Sequence, residues 1–432
     1  MCRFTHLMVF SALIVAVLAA PEAVHADTTG QVVTTSKEVL SLQDVLQRIG
    51  NSPAFTAAEK AIEAAEGNLE QAGLWPNPEL SIEVENFGGK DDLEGFDGAE
   101  TTVVIAQTLE IGGKRGARKA IASQGHSLAK WDKLATEQDL RLEAMKAFYA
   151  TLAAQMRLEQ AKQLVSLAEQ AYQTVADRVE AGKVSPVQQL RASVELNSSR
   201  SAAETAERQL VQARQELCAK WGDSKPNFKT VVGNFEELSD LPEWETLQAS
   251  FPGNPDVRRW EAELDNKNAS LELERANSIP DVTLSFGVRK YEDTGDNAYV
   301  AGLEIPLPLF DRNQGGRKSA QAEISQTVFT RDATLASLSS ELQSAFQELQ
   351  ATHYQARTLQ RDIMPAAEQA NAAAQIGYQE GKFDFLEALD AQRTLFDVKA
   401  QYVDAFSAYH EARLNVMRLA GQIDQKEQIQ PQ

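Results

Sequence analysis

The sequence predicts a mainly α-helical chain carrying two pairs of β-strands, built as two tandem helix-strand-strand-helix copies. Three observations predict it. The chain repeats itself at a near-constant offset, each copy contains two stretches of strict apolar/polar alternation, and helical pattern runs on without proline for far longer than a compact domain accommodates.

The repeat is read from punctuation. Asn51-Ser-Pro53 opens a helical stretch ending at Trp75-Pro-Asn-Pro78, and Asn254-Pro255 opens one ending at Ser278-Ile-Pro280, 202 residues later. Gly182-Lys183 with Leu190 returns as Gly381-Lys382 with Leu389, and Gly222 returns as Gly421, each at an offset of 199. Residues 41–222 and 245–421 are the two copies, residues 223–244 a linker between them, and residues 422–432 a tail.

Before the first copy, Arg3, the apolar run 7–20 and Val24-His25-Ala26 form an export signal over residues 1–26. Residues 27–40 are then an N-terminal periplasmic segment. Cys2 precedes the apolar run and leaves with the signal, so no N-terminal lipid anchor is expected. Cys218 remains as a lone thiol, which excludes an internal disulfide and fits a small buried helix residue.

The strands follow. Leu80, Ile82 and Val84 alternate with Ser81, Glu83 and Glu85, as do Val282, Leu284, Phe286 and Val288 with Thr283, Ser285, Gly287 and Arg289. Partners are expected at 101–111 and 297–307, about ten residues each, the length of a tilted strand crossing a bilayer. A solvated antiparallel sheet alternates in the same way. Outside the signal no apolar run reaches the length of a membrane-spanning helix. Four strands cannot close a membrane barrel by themselves, so a barrel has to be shared: two chains would supply eight strands and three would supply twelve.

The helix over 116–181 contains no proline and predicts a rod on the order of 100 Å long. Leu128, Trp131, Ala135, Gln138, Leu142, Met145, Tyr149, Leu152 and Met156 keep a 3,4 spacing; Leu158, Ala161, Val165, Ala168, Tyr172, Val175 and Val179 resume it after a register break. The rod ends at a hairpin tip, Gly182, Lys183, Val184, Ser185 and Pro186, and the second copy has its own at Gly381, Lys382, Phe383, Asp384 and Phe385. These tips lie farthest from the strands and are the expected docking surface for a partner.

Composition excludes other classes. A net charge of −20 leaves no basic surface for nucleic acid. "EIGGKRGARK" lacks phosphate-loop spacing, and Lys114, Arg115, Arg118 and Lys119 are expected instead at the level of anionic lipid headgroups. His126, His353 and His410 stand apart from other ligands, and no catalytic constellation rises above the background of acids, so neither a metal site, a cofactor nor an enzyme is expected.

The runs "WPNPELSIEVENFGG", "LEIGGKRGARKA", "LPLFDRNQGGRKSA" and "YQEGKFDFLEALDAQRTLF" together resemble the outer-membrane efflux factor (TolC) family. Within it they are most similar to the outer-membrane components of heavy-metal, cobalt-zinc-cadmium type exporters. The resemblance spans nearly all of the chain after the signal. It implies a homotrimer with a shared twelve-stranded barrel in the outer membrane of a Gram-negative bacterium and long coiled-coil helices forming an α-barrel through the periplasm. It also implies a periplasmic adaptor, a proton-driven inner-membrane pump of the RND class, and cations such as cobalt, zinc, cadmium, copper or nickel as cargo. A channel for drugs or secreted proteins has the same fold; a soluble periplasmic coiled-coil adaptor is the alternative of another class. In the family, two acids just inside the second tip line the periplasmic constriction, which the match "GKFDFLEALDAQ" carries onto Glu387 and Asp390. Arg191, the repeat mate of Asp390, is the expected ion-pair partner at that gate.

Overall fold

The computed structural model describes residues 38–91 and 94–423. The export signal, the segment up to residue 37 and the tail beyond residue 423 lie outside the described residues. The first copy contains α1 (Leu42–Ile49), α2 (Pro53–Ala72), β2 (Glu79–Glu85), β3 (Glu100–Leu109), α3 (Lys114–Glu180) and α4 (Pro186–Ala219). The second contains α5 (Trp244–Ser250), α6 (Pro255–Asn277), β5 (Val282–Tyr291), β6 (Asn297–Glu304), α7 (Gln314–Thr358), α8 (Met364–Gln379) and α9 (Phe385–Leu419). Two further short strands, β1 (Val39–Ser41) and β4 (Thr230–Val232), pair in parallel.

Matching punctuation gives matching helix ends. Ser52 caps α2, its hydroxyl accepting from Phe55 N–H at 3.2 Å, and Asn254 caps α6 by accepting from Asp256 N–H at 2.8 Å. Pro53 and Pro255 take the first-turn position, where a missing N–H costs nothing. The last glycine of each copy folds back on the same copy's cap: a Cβ on Gly222 would lie 2.8 Å from Pro53, and one on Gly421 would lie 2.9 Å from Asn254. α2 ends before Trp75-Pro-Asn-Pro78, and the chain runs extended into β2.

The four strands form one antiparallel sheet in the order β2-β3-β5-β6, so the second strand of one copy pairs with the first strand of the other. Direct partners share a face, and the register aligns Ile82 with Val103, Val288 and Tyr299. The opposite face is polar: Arg289 meets Glu100 at 2.8 Å, Glu85 at 3.3 Å and Thr102 Oγ1 at 3.0 Å. Among the described residues no helix covers the apolar face, on which Leu80, Ile82, Phe286, Tyr299 and Leu303 are all exposed. A sheet facing water on one side packs its apolar side on a core, so this sheet is built for lipid.

β6 stops at Glu304, short of the expected 307. Pro306 has no N–H to donate, and the register would set Leu307 opposite Pro280, which has none either. The long helix of the second copy is also broken. Pro365 cannot donate to the preceding turn, and a wide π turn at Leu359–Ile363 absorbs the fault between α7 and α8.

The main core lies midway along the hairpins. There α3 is buried over Ala144, Met145, Phe148, Tyr149, Leu152 and Ala153, more of its circumference than one coiled-coil stripe accounts for. The linker is the cause. Phe228, Val231 and Phe235 join this core, and β4 carries the linker across α3 with Gln155 holding both the N–H and the carbonyl of Val231, at 2.8 and 2.9 Å. Arg418, also buried, ties three helices together through Asp139 of α3 at 2.6 Å and Asp256 of α6 at 2.7 Å.

Candidate functional site

Each hairpin ends in the same local chemistry. After α3, Gly182 adopts φ of 69°, its N–H donates to Val179 O at 2.9 Å, and Lys183 N–H reaches Arg178 O at 2.9 Å. After α8, Gly381 adopts φ of 75°, its N–H donates to Tyr378 O at 3.1 Å, and Lys382 N–H reaches Gly377 O at 2.8 Å. Both are left-handed glycine closures that satisfy the last helical carbonyls. Ser185 then caps α4, accepting from Val187 N–H at 3.3 Å, with Pro186 in the first turn.

The second tip is capped more strongly. Asp384 accepts from Glu387 N–H at 2.9 Å while the Glu387 carboxylate accepts from Asp384 N–H at 3.0 Å, a reciprocal capping box. One of the two acids expected at the gate therefore also starts α9. Glu387 and Asp390 are both exposed in the first turns of that helix.

The tips stand side by side. Val175 of α3, Ala192 of α4, and Phe385 and Leu389 of α9 form a small buried cluster, with Tyr172, Val179 and Tyr378 packed around it. The Arg178 guanidinium sits 4.3 Å over the Tyr378 ring, and Arg393 pairs with Glu195. Phe385, expected on the docking surface, is instead buried in this cluster, because the first helical residue of α9 turns inward towards α3. Val184 is half-buried; Gly182, Lys183, Ser185, Pro186, Gly381, Lys382, Phe383 and Asp384 are exposed. Arg191 is exposed on α4 and makes no salt bridge among the described residues, so nothing within one chain joins it to Glu387 or Asp390. Glu195, Arg393 and Tyr378, which do join the tips, carry no signal in a single sequence; their spacing matches that of any solvated helix residue.

At the other end, the basic residues after β3 are not free for lipid. Lys114 pairs with Asp281 at 2.7 Å, Arg115 donates to Gly73 O at 2.5 Å and lies over Trp75, and Arg118 pairs with Glu110. Of the four, Lys119 alone is exposed. They fasten the start of α3 to the proline-rich exit of α2 and to the entry of β5.

Among the described residues no group of three or more His, Cys, Asp or Glu side chains is placed to hold a metal ion, and no helix is long and apolar enough to cross a membrane. Cys218 is buried with its sulfur 3.2 Å from Gln215 O, and burial pushes its thiol up, away from reactivity. His410 is buried too. Its ring stacks on Tyr149 at 4.0 Å, its Nε2–H donates to Phe235 O at 2.7 Å, and Nδ1 has no hydrogen-bond partner among the described residues. Burial pushes this imidazole down to about 4.

The profile of the family described as "Outer membrane efflux protein" matches residues 42–223 and 247–422. The cobalt-zinc-cadmium resistance protein CzcC of Cupriavidus metallidurans is 35% identical over 86% of this chain and 87% of its own length. The nickel and cobalt resistance protein CnrC of the same organism is 27% identical over 70% of this chain and 72% of its own. Among solved structures, CusC superposes with a TM-score of 0.75 at 19% identity, covering 88% of this chain and 92% of that one. The Campylobacter jejuni CmeC outer membrane channel does so with 0.75 at 14% identity, covering 88% and 85%. Lipid-facing sheet, long paired hairpins and family profile agree: the chain belongs to the outer membrane efflux protein family.

Proposed function

We propose that this protein is the outer-membrane exit duct of a tripartite RND-type efflux system, that it works as a homotrimer, and that its cargo is heavy-metal cations. The observation that carries the proposal is the four-stranded sheet with an uncovered apolar face and two unpaired edges, joined to helices of which α3 alone is about 100 Å long. Lipid tolerates no unpaired strand edge, so β2 of one chain pairs with β6 of the next, and three chains close twelve strands. The helices then continue the lumen through the periplasm, and the exposed tip residues meet a periplasmic adaptor seated on an inner-membrane pump. Residues 1–26 direct export.

Metal cargo is supported by relatedness to the cobalt-zinc-cadmium and nickel-cobalt resistance proteins over most of both chains, and by chemistry. A trimer places six carboxylates, Glu387 and Asp390 from each chain, around the periplasmic mouth, where they concentrate cations. Deleting the gene is expected to lower the host's tolerance to cobalt, zinc or cadmium while leaving tolerance to dyes and detergents unchanged. The opposite pattern would assign the duct to drug efflux.

A further inference from the structure

The loops at the far end of the sheet from the helices are acidic, yet one of them holds an aromatic pair in the open. Between β2 and β3, Phe87 and Phe96 stack at 5.6 Å with their rings 8° from parallel, and they are 54% and 66% exposed. The loop is built to present them. Gly88 N–H donates to Gly95 O at 2.7 Å, Asn86 donates to the Glu100 carboxylate at 3.0 Å, and Asn86, Gly88 and Gly95 all take the left-handed conformation. Two phenyl rings kept in water by an ordered turn mark a contact surface.

Beside Phe96 lies a cleft of about 550 Å³, a size that takes a small organic ligand. Its floor includes Val84 and Thr101, direct partners that lie one same-face step beyond Ile82 and Val103 and therefore on the lipid face. Its walls carry Asp97 from the first loop and Glu292 and Asp293 from the loop between β5 and β6. Glu292 is held by Lys290 at 2.7 Å, whereas Asp97 is exposed and makes no ion pair among the described residues. Nearer the helices on the same face, Phe286 and Tyr299 stack at 6.0 Å, as aromatic residues do at the edge of an apolar band.

We propose that this cleft seats a sugar ring in the headgroup of an outer-leaflet glycolipid, whose acyl chains run down the apolar face of the sheet. Chemistry selects a saccharide. The carboxylates of Asp97 and Asp293 accept from ring hydroxyls, and the Phe96 face meets the ring's C–H groups, whose positive polarisation suits a negative π face. A glycerophospholipid brings no sugar ring, and three carboxylates repel its phosphate. Position selects the lipid-linked form over a free sugar, because the floor of the cleft continues the lipid face and lies beyond the aromatic edge, at headgroup level. The contact requires the outer membrane, whose outer leaflet presents glycolipid, but neither the trimer nor the cargo proposed above, since every lining residue belongs to one chain.

The test titrates the full-length protein, extracted from outer membranes in mild detergent and freed of lipid by detergent exchange, with lipopolysaccharide bearing its core sugars. Binding to the parent is expected to saturate, and Phe96→Ser with Asp97→Asn should weaken it about tenfold, the loss expected for one charge-assisted hydrogen bond. Both positions are exposed, so the elution volume and melting temperature of the double variant should match the parent. Phe310→Ser removes a ring that is 92% exposed near the helix end of the sheet, and it should leave binding unchanged. Deacylated core oligosaccharide should compete weakly and phosphatidylglycerol not at all. Equal affinity of the parent and the double variant, or competition by phosphatidylglycerol as strong as by lipopolysaccharide, would overturn the assignment. Oligosaccharide competing as well as the intact glycolipid would overturn its lipid-linked form.

Discussion

Among single residues, His410 links structure to pH most directly. Its ring is neutral because the stack on Tyr149 and the surrounding Phe235 and Tyr409 exclude water, and the Phe235 carbonyl fixes which nitrogen carries the proton. In the unfolded chain the imidazole protonates below about 6.5, in the folded chain only below about 4. The folded state thus loses stability as pH falls from 6.5 towards 4, by on the order of 3 kcal/mol if this group alone is counted, and keeps its full contribution above 6.5. Melting temperature followed across that window should fall in the parent and fall less steeply in His410→Phe. Equal slopes would show that His410 is not the buried titrating group. The acids proposed for the gate, Glu387 and Asp390, call for a charge-only change, because Glu387 also caps α9. Glu387→Gln retains a capping acceptor. With Asp390→Asn it should lower cation selectivity in planar bilayers, and the difference from the parent should shrink at high salt, where the Debye length drops to about 3 Å at 1 M. Unchanged selectivity would place the constriction elsewhere. Neither the burial of His410 nor the double duty of Glu387 could be read from sequence: the first depends on a linker crossing α3 some 175 residues away in the chain, and the second on side-chain direction.

For the elements, the hairpin tips carry the sharpest prediction. Gly182 and Gly381 sit in the left-handed region with nothing within 4 Å of a hypothetical Cβ, so a larger residue is strained but not blocked by neighbours. Gly381→Leu should cost about 1–2 kcal/mol from backbone conformation and leave the oligomer intact, while abolishing export by altering the surface offered to the adaptor. Normal export from both Gly182→Leu and Gly381→Leu chains would remove the tips from the docking surface. These turns were readable in sequence because glycine followed by a capping Ser-Pro or Asp has one local solution. The strand pairs were readable from period two, and the long helix from its coiled-coil spacing. The β1–β4 pair was not, since three residues in parallel pairing carry no period, and its formation depends on Gln155 and the core beneath it. The π turn at Leu359–Ile363 was signalled by Pro365 alone, a residue equally compatible with a kink or a stop.

At the largest scale, the described residues form long helical hairpins joined to a four-stranded sheet, and the sheet's uncovered face and unpaired edges are what the proposed trimer completes. The requirement for sharing is legible in the sequence, because four strands cannot close a barrel, while strand count alone fits two chains as well as three. The structure adds that, among the described residues, β2 and β6 are the unpaired edges and the apolar face carries no cover. The most direct test is the mass of the protein extracted from outer membranes in mild detergent, measured after the contribution of detergent is subtracted. A mass of three chains, with the assembly resisting dissociation until the sheet is unfolded, is the predicted result. A single-chain mass, or recovery of the protein from the soluble periplasmic fraction, would contradict the account.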